Sequence, residues 1–557
     1  MTSGAGKKRR GLGQAARAAA AVSAGVLLAV SFPPVAEAQA GWVALVPLIL
    51  LARFTDPWPA FRWGFSTGAV FWLVSISWLL RLGVTGAPWP VAVLAWILLA
   101  GYCALYTAAF AMALSALFGR GAWGGGEIRP GTLRSAGLVV IVPLLWVGFE
   151  YLRSTLFTGF PWNTLGVSQF RNLAIIQLAQ WGGVYAVSAV MAAMNSAVAL
   201  LGLRIADVYF RRRTSRRFQV ELMTGLLVFA LCWLYGVRTV RRLSDERAAG
   251  VEVRIAAVQP AIPQLRKWPE DLESEILDRL GTLTRQASRL GLDLMIWPET
   301  AVPGALRSDP EIRAFVTDLA GLGTPLLVGS MEAAQRRGES EYYNSSFLVN
   351  TQGEITGAYR KQHLVPFGEY VPFRRIFPWI RRVEPLGFSC TAGTTNTVFC
   401  LSPAAADRAV SFSVLICFED VMPYLARRAV REGAAFLVNQ TNDAWFDGSS
   451  AALQHMSHCV FRCVENRVAA VRAANTGVTC FIDRTGRVER EGTLAREGWW
   501  TGMPRFETSR LVVAGGERPL PFYTRWGDRP FALPCGILAG AFFILVVAVE
   551  TRKNARS

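Results

Sequence analysis

The stretch VSFSVLICFED, residues 410–420, is a β-branched and aromatic run that stops at Cys417 with two acids, Glu419 and Asp420, directly behind it. It is too short for a buried helix and too continuously apolar for a strand with one wet face, so it reads as a strand covered on both sides. Inside such a run a cysteine is ordinary core filling. At the exit of the strand, beside carboxylates, it is a candidate nucleophile, and the surrounding sequence has to decide.

Outward from this run, residues 251–515 repeat the same grammar. VEVRIAAVQ, DLMIWPE, PLLVGS, SFLVNTQGEITGAYRK, AAFLVNQTN and VAAVRAANTGVTCFIDRTGRVER read as strands or hairpins, while DLESEILDRLGTLTRQASRL, MPYLARRAVREG and QHMSHCVFRCVENRV read as helices. Alternating strands and helices predict a layered α/β fold, and hairpin turns at TQGE and DRTGR make its sheet mixed. Chemistry in such folds collects where strands end. WPE, YRK and CFE all fall at strand ends.

The rest of the chain is different in kind. Of 557 residues 52% are apolar, which is too many for an ordinary soluble protein. They concentrate in residues 1–240 and 530–550. At roughly 20 apolar residues per span, helices are expected at 16–32, 41–51, 65–82, 91–118, 136–152, 178–203, 223–237 and 531–549, about eight in all. GKKRR before the first, Arg120, Arg129 and Arg134 between the fourth and fifth, RIADVYFRRRTSRR between the sixth and seventh, and TRKNARS at the end then share one side. That side is cytoplasmic by the positive-inside rule, and residues 250–515 lie outside. Much of the net charge of +18 is therefore topology signal and attraction to anionic lipid, and no nucleic-acid partner is expected. AEA at residues 36–38 also fits a signal-peptide cleavage pattern. SFPP running directly into WVALVPLILL favours a helical hairpin instead.

Nine cysteines form no C-x-x-C pair, so neither a metal nor another cofactor is expected. In an oxidising compartment pairing among Cys390, Cys400, Cys459, Cys463 and Cys480 is open, with Cys417 required to stay free. A thiol needs a base or a positive neighbour to attack at neutral pH. Three histidines exist, His363, His455 and His458; either of the last two is a possible partner or an ordinary helix-face residue. Glu299, ending the strand LMIWPE, suits a general base, against a reading as a surface or capping acid. Lys361, closing GAYRK, offers a fixed charge for a thiolate or an oxyanion. It leads into KQHLVPFGEYVPF, a structured loop carrying Glu369.

Glu, Lys and Cys in that order, each at a strand end of an α/β domain, resemble the nitrilase (carbon-nitrogen hydrolase) superfamily. SFPP, WVGFEYLRSTLFTGFPWNTLGVSQ, QLAQWGGVYAVS, KWPE, WPETA, YRKQHLVPFGEYVPF, CFED, NQTNDAWF, RAANTG and TRWGDRP together resemble the apolipoprotein N-acyltransferase family over nearly the whole chain. The resemblance implies a polytopic helical membrane domain with an extracytoplasmic nitrilase-like αββα sandwich, in the inner membrane of a bacterium. It implies Glu299, Lys361 and Cys417 as catalytic residues, with Glu369 and Glu419 as supporting acids. The implied partners are a phospholipid acyl donor and a diacylglyceryl-modified apolipoprotein acceptor, joined through a cysteine thioester. Two positions depart from the pattern: Phe418 stands where tyrosine is frequent and Asp447 where glycine is usual.

VPFRRIFPWIRRV interleaves Phe377 and Trp379 with arginines, a composition for the lipid interface. Trp268, Trp445 and Phe446 are candidate substrate contacts or core aromatics. Glu150 and Arg153, one turn apart at the end of a span, are expected to pair. Two rival readings are a membrane-tethered amidase, which would deliver the acyl group to water, and a transporter with an external binding module.

Overall fold

The computed structural model describes all residues except 1–12, 84–85, 120–131, 212–219, 247–249, 264–271, 337–338, 372–388, 405–407, 447, 490–502, 514–518 and 556–557. Trp268, Phe377 and Trp379, and Asp447, lie outside the described residues.

The N-terminal part is helical: α1 (Gln14–Val30), α2 (Val46–Arg53), α3 (Pro57–Ser75), α4 (Trp89–Leu117), α5 (Thr132–Thr155), α6 (Val184–Arg211) and α7 (Val220–Asp245). Among the described residues five helices are long and apolar enough to cross a bilayer, namely α4, α5, α6, α7 and a C-terminal helix at Ala532–Asn554. A sixth segment is the pair Pro57–Ser75 and Ser77–Gly83, bent by 50°. Two further apolar helices, Gln14–Val30 and Ala38–Arg53, are shorter. The expected span 178–203 begins late because Gly183 has φ +64 and a Cβ there would stand 2.7 Å from the Tyr523 ring. A left-handed glycine held against an aromatic stops a helix, so α6 starts at Val184.

From Val251 the chain builds two sheets. The first has the order β11-β1-β2-β3-β4-β5, from β1 (Val251–Gln259), β2 (Leu294–Ile296), β3 (Leu326–Arg336), β4 (Glu339–Val349), β5 (Ile355–Arg360) and β11 (Arg505–Val513). The second is β10-β9-β8-β7-β6, from β6 (Val398–Leu401), β7 (Val410–Ile416), β8 (Phe436–Thr441), β9 (Ala469–Ala474) and β10 (Cys480–Ile482). Central strands are parallel in both, β1 with β2 and β3, β7 with β8 and β9, while the remaining pairs are antiparallel. The two-residue period of a strand divides its side chains. Ile255, Ala257, Leu294 and Ile296 meet Phe412, Val414, Phe436 and Val438 between the sheets. Ala256, Val258, Met295 and Trp297 face outward onto α8 (Glu273–Ser288) and α9 (Pro310–Ala320).

Outside the second sheet lie α10 (Pro423–Arg431) and α11 (Ala451–Asn466), completing four layers, helix, sheet, sheet, helix. Leu415, Leu437 and Ala470 of the sheet share one apolar cluster with Leu425, Val460 and Val464 of these helices and with Ile175, Ile176 and Val187 of the N-terminal part. Helix α11 is buried along its entire length although it carries Gln454, His455, His458, Arg462 and Glu465. A polar helix can be buried only if its side chains find partners, and these do so on both sides. The last described helix, Ala532–Asn554 (α12), packs against α5.

Candidate active site

Three strand ends converge. β2 stops at Ile296, after which Trp297 turns outward to donate its indole N–H to Thr284 Oγ1 at 3.1 Å. Glu299 turns inward and is 7% exposed. The backbone here is held close to β3: a Cβ on Gly329 would lie 2.2 Å from the Pro298 carbonyl and 2.9 Å from Glu299 Cα. β5 ends at Arg360, and Lys361 beyond it is 1% exposed. β7 ends at Ile416, and Cys417 opens a short 3₁₀ helix with φ +53. A left-handed non-glycine residue costs on the order of 1–3 kcal/mol and persists where the surroundings fix it.

Lys361 Nζ lies 2.8 Å from Glu369 Oε1 and 3.4 Å from Glu299 Oε1. Burial by itself would depress the ammonium, but Glu369, Glu299 and Cys417 outweigh it and hold Lys361 well above the usual lysine range. The same atoms act in reverse on the thiol. Burial and then the charge of Glu299 push Cys417 up, opposed by Lys361 and by a hydrogen bond to Thr441. The resting sulfur is thus a protonated thiol, so attack requires a base in reach rather than a standing thiolate.

The two further acids, Glu369 and Glu419, have separate sets of partners. Glu369 accepts from the Val365 N–H at 2.9 Å as well as from Lys361. Glu419 accepts the N–H groups of Gln362 (2.6 Å), His363 (3.0 Å) and Ile416 (2.7 Å) and the Tyr359 hydroxyl (2.9 Å), tying the residues after Lys361 to those before Cys417. Burial lifts its pKa to about 7, restrained by the N–H groups of His363 and Ile416, by Lys361 and by the Gln362 N–H. Asn344 completes the set, and sequence reading missed it. Its Nδ2 donates to Glu299 Oε1 at 2.8 Å and Glu369 Oε1 at 3.1 Å, and its backbone carbonyl receives the Lys361 backbone N–H at 2.9 Å. Nothing in YYNSSF marks it, since a polar residue in a hairpin strand reads as solvent-facing.

Other expectations are redistributed. Phe418 stacks within 6.0 Å of Trp162 and 6.5 Å of Phe160, from the N-terminal part. Phe446 packs edge-on against Trp78 at 4.6 Å, and Trp445 beside it is half-buried. Neither histidine pairs with the thiol: His455 Nε2 lies 3.2 Å from the Cys417 carbonyl oxygen, and His458 Nε2 meets the Asn163 N–H at 3.4 Å. Glu150 and Arg153 are not an ion pair. Glu150 accepts the Leu165 N–H at 2.6 Å, whereas Arg153 donates to the Trp162 carbonyl at 2.9 Å and lies 4.7 Å over the Trp72 ring. Carbonyls and N–H groups left over at the turn after α5 are what each needs. All nine cysteines are unpaired.

Residues 24–197 match the family described as apolipoprotein N-acyltransferase N-terminal domain, and residues 254–503 match carbon-nitrogen hydrolase. The apolipoprotein N-acyltransferase of Geobacter metallireducens is 37% identical over 544 residues, covering 96% of this chain and 95% of its own. That of Chlorobaculum tepidum is 32% identical over 556 residues, covering 95% and 96%, and that of Brucella melitensis 32% over 554, covering 92% of each. Of solved structures, an amidase from Nesterenkonia sp. AN1 aligns with 47% of this chain and 90% of its own at 18% identity, with a TM-score of 0.35. The curated relatives are matched from end to end, through the apolar helices and the sheets alike, and the chain belongs to the apolipoprotein N-acyltransferase family.

Proposed function

We propose that the chain moves a fatty acyl group from a membrane phospholipid to the α-amino group of a diacylglyceryl-cysteine at the N-terminus of an apolipoprotein, by way of a thioester on Cys417. Glu299 takes the thiol proton as sulfur attacks the ester carbonyl. Lys361 faces the oxyanion of the tetrahedral intermediate. The ester C–O bond breaks, the proton passes from Glu299 to the leaving oxygen, and lysophospholipid departs. In the second half the amine attacks the thioester, the C–S bond breaks, and the amine proton returns through Glu299 to sulfur. Thioester to amide runs downhill, so the cycle requires no other energy source. Glu369 and Asn344 hold Lys361 and Glu299 in register, and Glu419 ties the lysine loop to the nucleophile turn.

The observation that carries this reading is Lys361 buried against Glu299 and Glu369 with the Cys417 thiol in their field. A second supports a lipid substrate over a small soluble amide: the residue after the nucleophile stacks on aromatic rings of the membrane part. We further take the five long helices, the bent pair and the two shorter apolar helices as eight crossings of a bacterial inner membrane. Residues 1–240 and 530–550 are then the membrane domain, and residues 250–515 the catalytic domain on the extracytoplasmic side.

Purified protein in phospholipid vesicles, given a diacylglyceryl-cysteine peptide, is expected to yield N-acyl peptide and lysophospholipid in equal amounts. Free fatty acid released at the same rate with or without the peptide would favour the amidase reading and reject transfer.

A further inference from the structure

Against the backbone of Cys417 lies a second buried cluster to which the acyl-transfer scheme assigns no role. Arg472 of β9 reaches Asp420 Oδ2 at 2.9 Å and Asp443 Oδ2 at 2.8 Å. His455 of α11 places Nδ1 3.0 Å from Asp443 Oδ1 and Nε2 2.7 Å from Asp420 Oδ1. All four side chains are buried. Two carboxylates against its nitrogens favour the doubly protonated form of the imidazole, since a bare lone pair facing an anion is repelled. Arg472 Nη2 is also 3.0 Å from Nδ1, but its own nearer partner is Asp443 Oδ2 at 2.8 Å. Two acids and two cations then balance.

The cluster reaches the nucleophile's backbone at the Cys417 carbonyl oxygen. His455 Nε2 meets hydrogen-bond geometry there at 3.2 Å, whereas Asp420 Oδ1, though closer, has no donor on its axis and is an ionic contact. Asn439 Nδ2 donates to the same oxygen at 3.0 Å, and its own Oδ1 is held by Arg472 at 2.7 Å. Both lone pairs of that carbonyl are therefore spent on the cluster. The peptide it belongs to sets the left-handed turn at Cys417, and its N–H is that of Phe418, in the first turn of a helix where N–H groups lack helical acceptors. Polarising the C=O strengthens that N–H as a donor.

We infer that His455 is a positioning residue for acyl transfer, holding the nucleophile's backbone through the Cys417 carbonyl and, as the cation opposite Asp420 and Asp443, keeping net negative charge away from the sulfur. The inference rests on Cys417 being the acylated residue. Burial, the largest influence, and Arg472 lower His455, but the charge of Asp420 and the close contacts with Asp420 and Asp443 together outweigh them and lift it to about 9. Asp443 is among the groups that push the Cys417 thiol up, so an uncompensated Asp443 would push it further. The charged groups that face the ring from other elements are Asp420, Asp443 and Arg472. His458 and Arg462 follow on its own helix, and the Trp162 ring covers it at 5.8 Å.

The test compares full-length wild type, His455→Gln, Asp443→Asn and the double variant in phospholipid vesicles without acceptor. Two readouts are followed: Cys417 acylation at rising phospholipid, and the pH profile of Cys417 alkylation by iodoacetamide. For His455→Gln we expect the maximal acylation rate to fall roughly 10- to 100-fold with half-saturating phospholipid unchanged, and alkylation to move up by about one pH unit. Asp443→Asn should move alkylation down, and the double variant, again charge-balanced, should regain much of the rate. Should His455→Gln fail to fold, Asp443→Asn still moves the alkylation profile down and the double variant brings it back to that of wild type. A wild-type rate and profile in His455→Gln, or a double variant no better than the single, would overturn the inference. Absence of acylation on Cys417 in wild type would instead reject the proposed function.

Discussion

Lys361 is the pivot at the scale of single residues, because one buried ammonium sits against two carboxylates that Asn344 also bridges. Removing the amide leaves Glu299 and Glu369 sharing one donor fewer, and a charge-assisted hydrogen bond of this kind is worth about 1.5–3 kcal/mol. Asn344→Leu should therefore slow acylation roughly 10- to 100-fold while Lys361 and Cys417 remain in place, read as the rate of thioester formation; an unchanged rate would show that the amide is a spectator. Stability should follow pH through the deeper cluster. His455 is raised from its ordinary value of 6.5 to about 9, so its contribution is complete below about pH 6.5 and is lost as pH rises through 9. Glu419, lifted from 4.5 to about 7, also favours the native state most when protonated, and ionising it between those values weakens the fold. Asp443, lowered from 3.8 to about 2, stabilises above 3.8 and stops doing so as pH falls through 2. The melting temperature in detergent should thus be higher at pH 5 than at pH 9, and a profile rising toward pH 9 would contradict these assignments. Glu299, Lys361 and Cys417 were legible because each closes an apolar strand. Asn344 and Arg472 were not, since each is a lone polar residue within a strand whose partners come from distant segments.

Among elements, the parallel strands announce themselves. β1, β7 and β8 each have an apolar stretch buried on both faces, at residues 255–258, 414–416 and 436–438, and so they stand out in the sequence. The edge strands do not: β6 is four residues long and β11 alternates charge with apolar side chains. Helix α9 had a legible start that passed unread, Asp309 capping Glu311 and Ile312 with Pro310 in the first turn. Close packing of β3 on the turn after β2 offers a test that leaves the side chains of Glu299, Lys361 and Cys417 in place. Gly329→Ala places a methyl 2.2 Å from the Pro298 carbonyl, and that backbone must move, taking Glu299 with it. Acylation should fall about tenfold or more, since displacement of a reacting group by an ångström costs that order of rate. Iodoacetamide should still label Cys417. Full activity in Gly329→Ala would mean that the placement of Glu299 is not critical.

For the whole molecule, the second sheet and the apolar helices share one core across α10 and α11. Gln454 on α11 fastens it. Its Oε1 accepts the indole N–H of Trp78 at 3.0 Å and of Trp162 at 2.7 Å, and its Nε2 donates to the carbonyls of Pro33 at 2.7 Å and Ser75 at 3.1 Å. Each buried group left unpaired costs about 1–3 kcal/mol, so Gln454→Met should lower the melting temperature in detergent by several degrees and expose the junction to protease; unchanged melting would show that the apolar contacts suffice. Fused in this way, the helical part also supplies the aromatic stack beside Cys417, which under the proposed function is the route of a lipid ester to the thiol. The measurement that bears most directly on the central claim is peptide-level mass spectrometry of the protein purified from membranes without acceptor. A fatty acyl thioester on the Cys417 peptide, released by hydroxylamine and discharged by a diacylglyceryl-cysteine peptide, is the predicted result. An unmodified Cys417 in protein that still transfers acyl chains would contradict it.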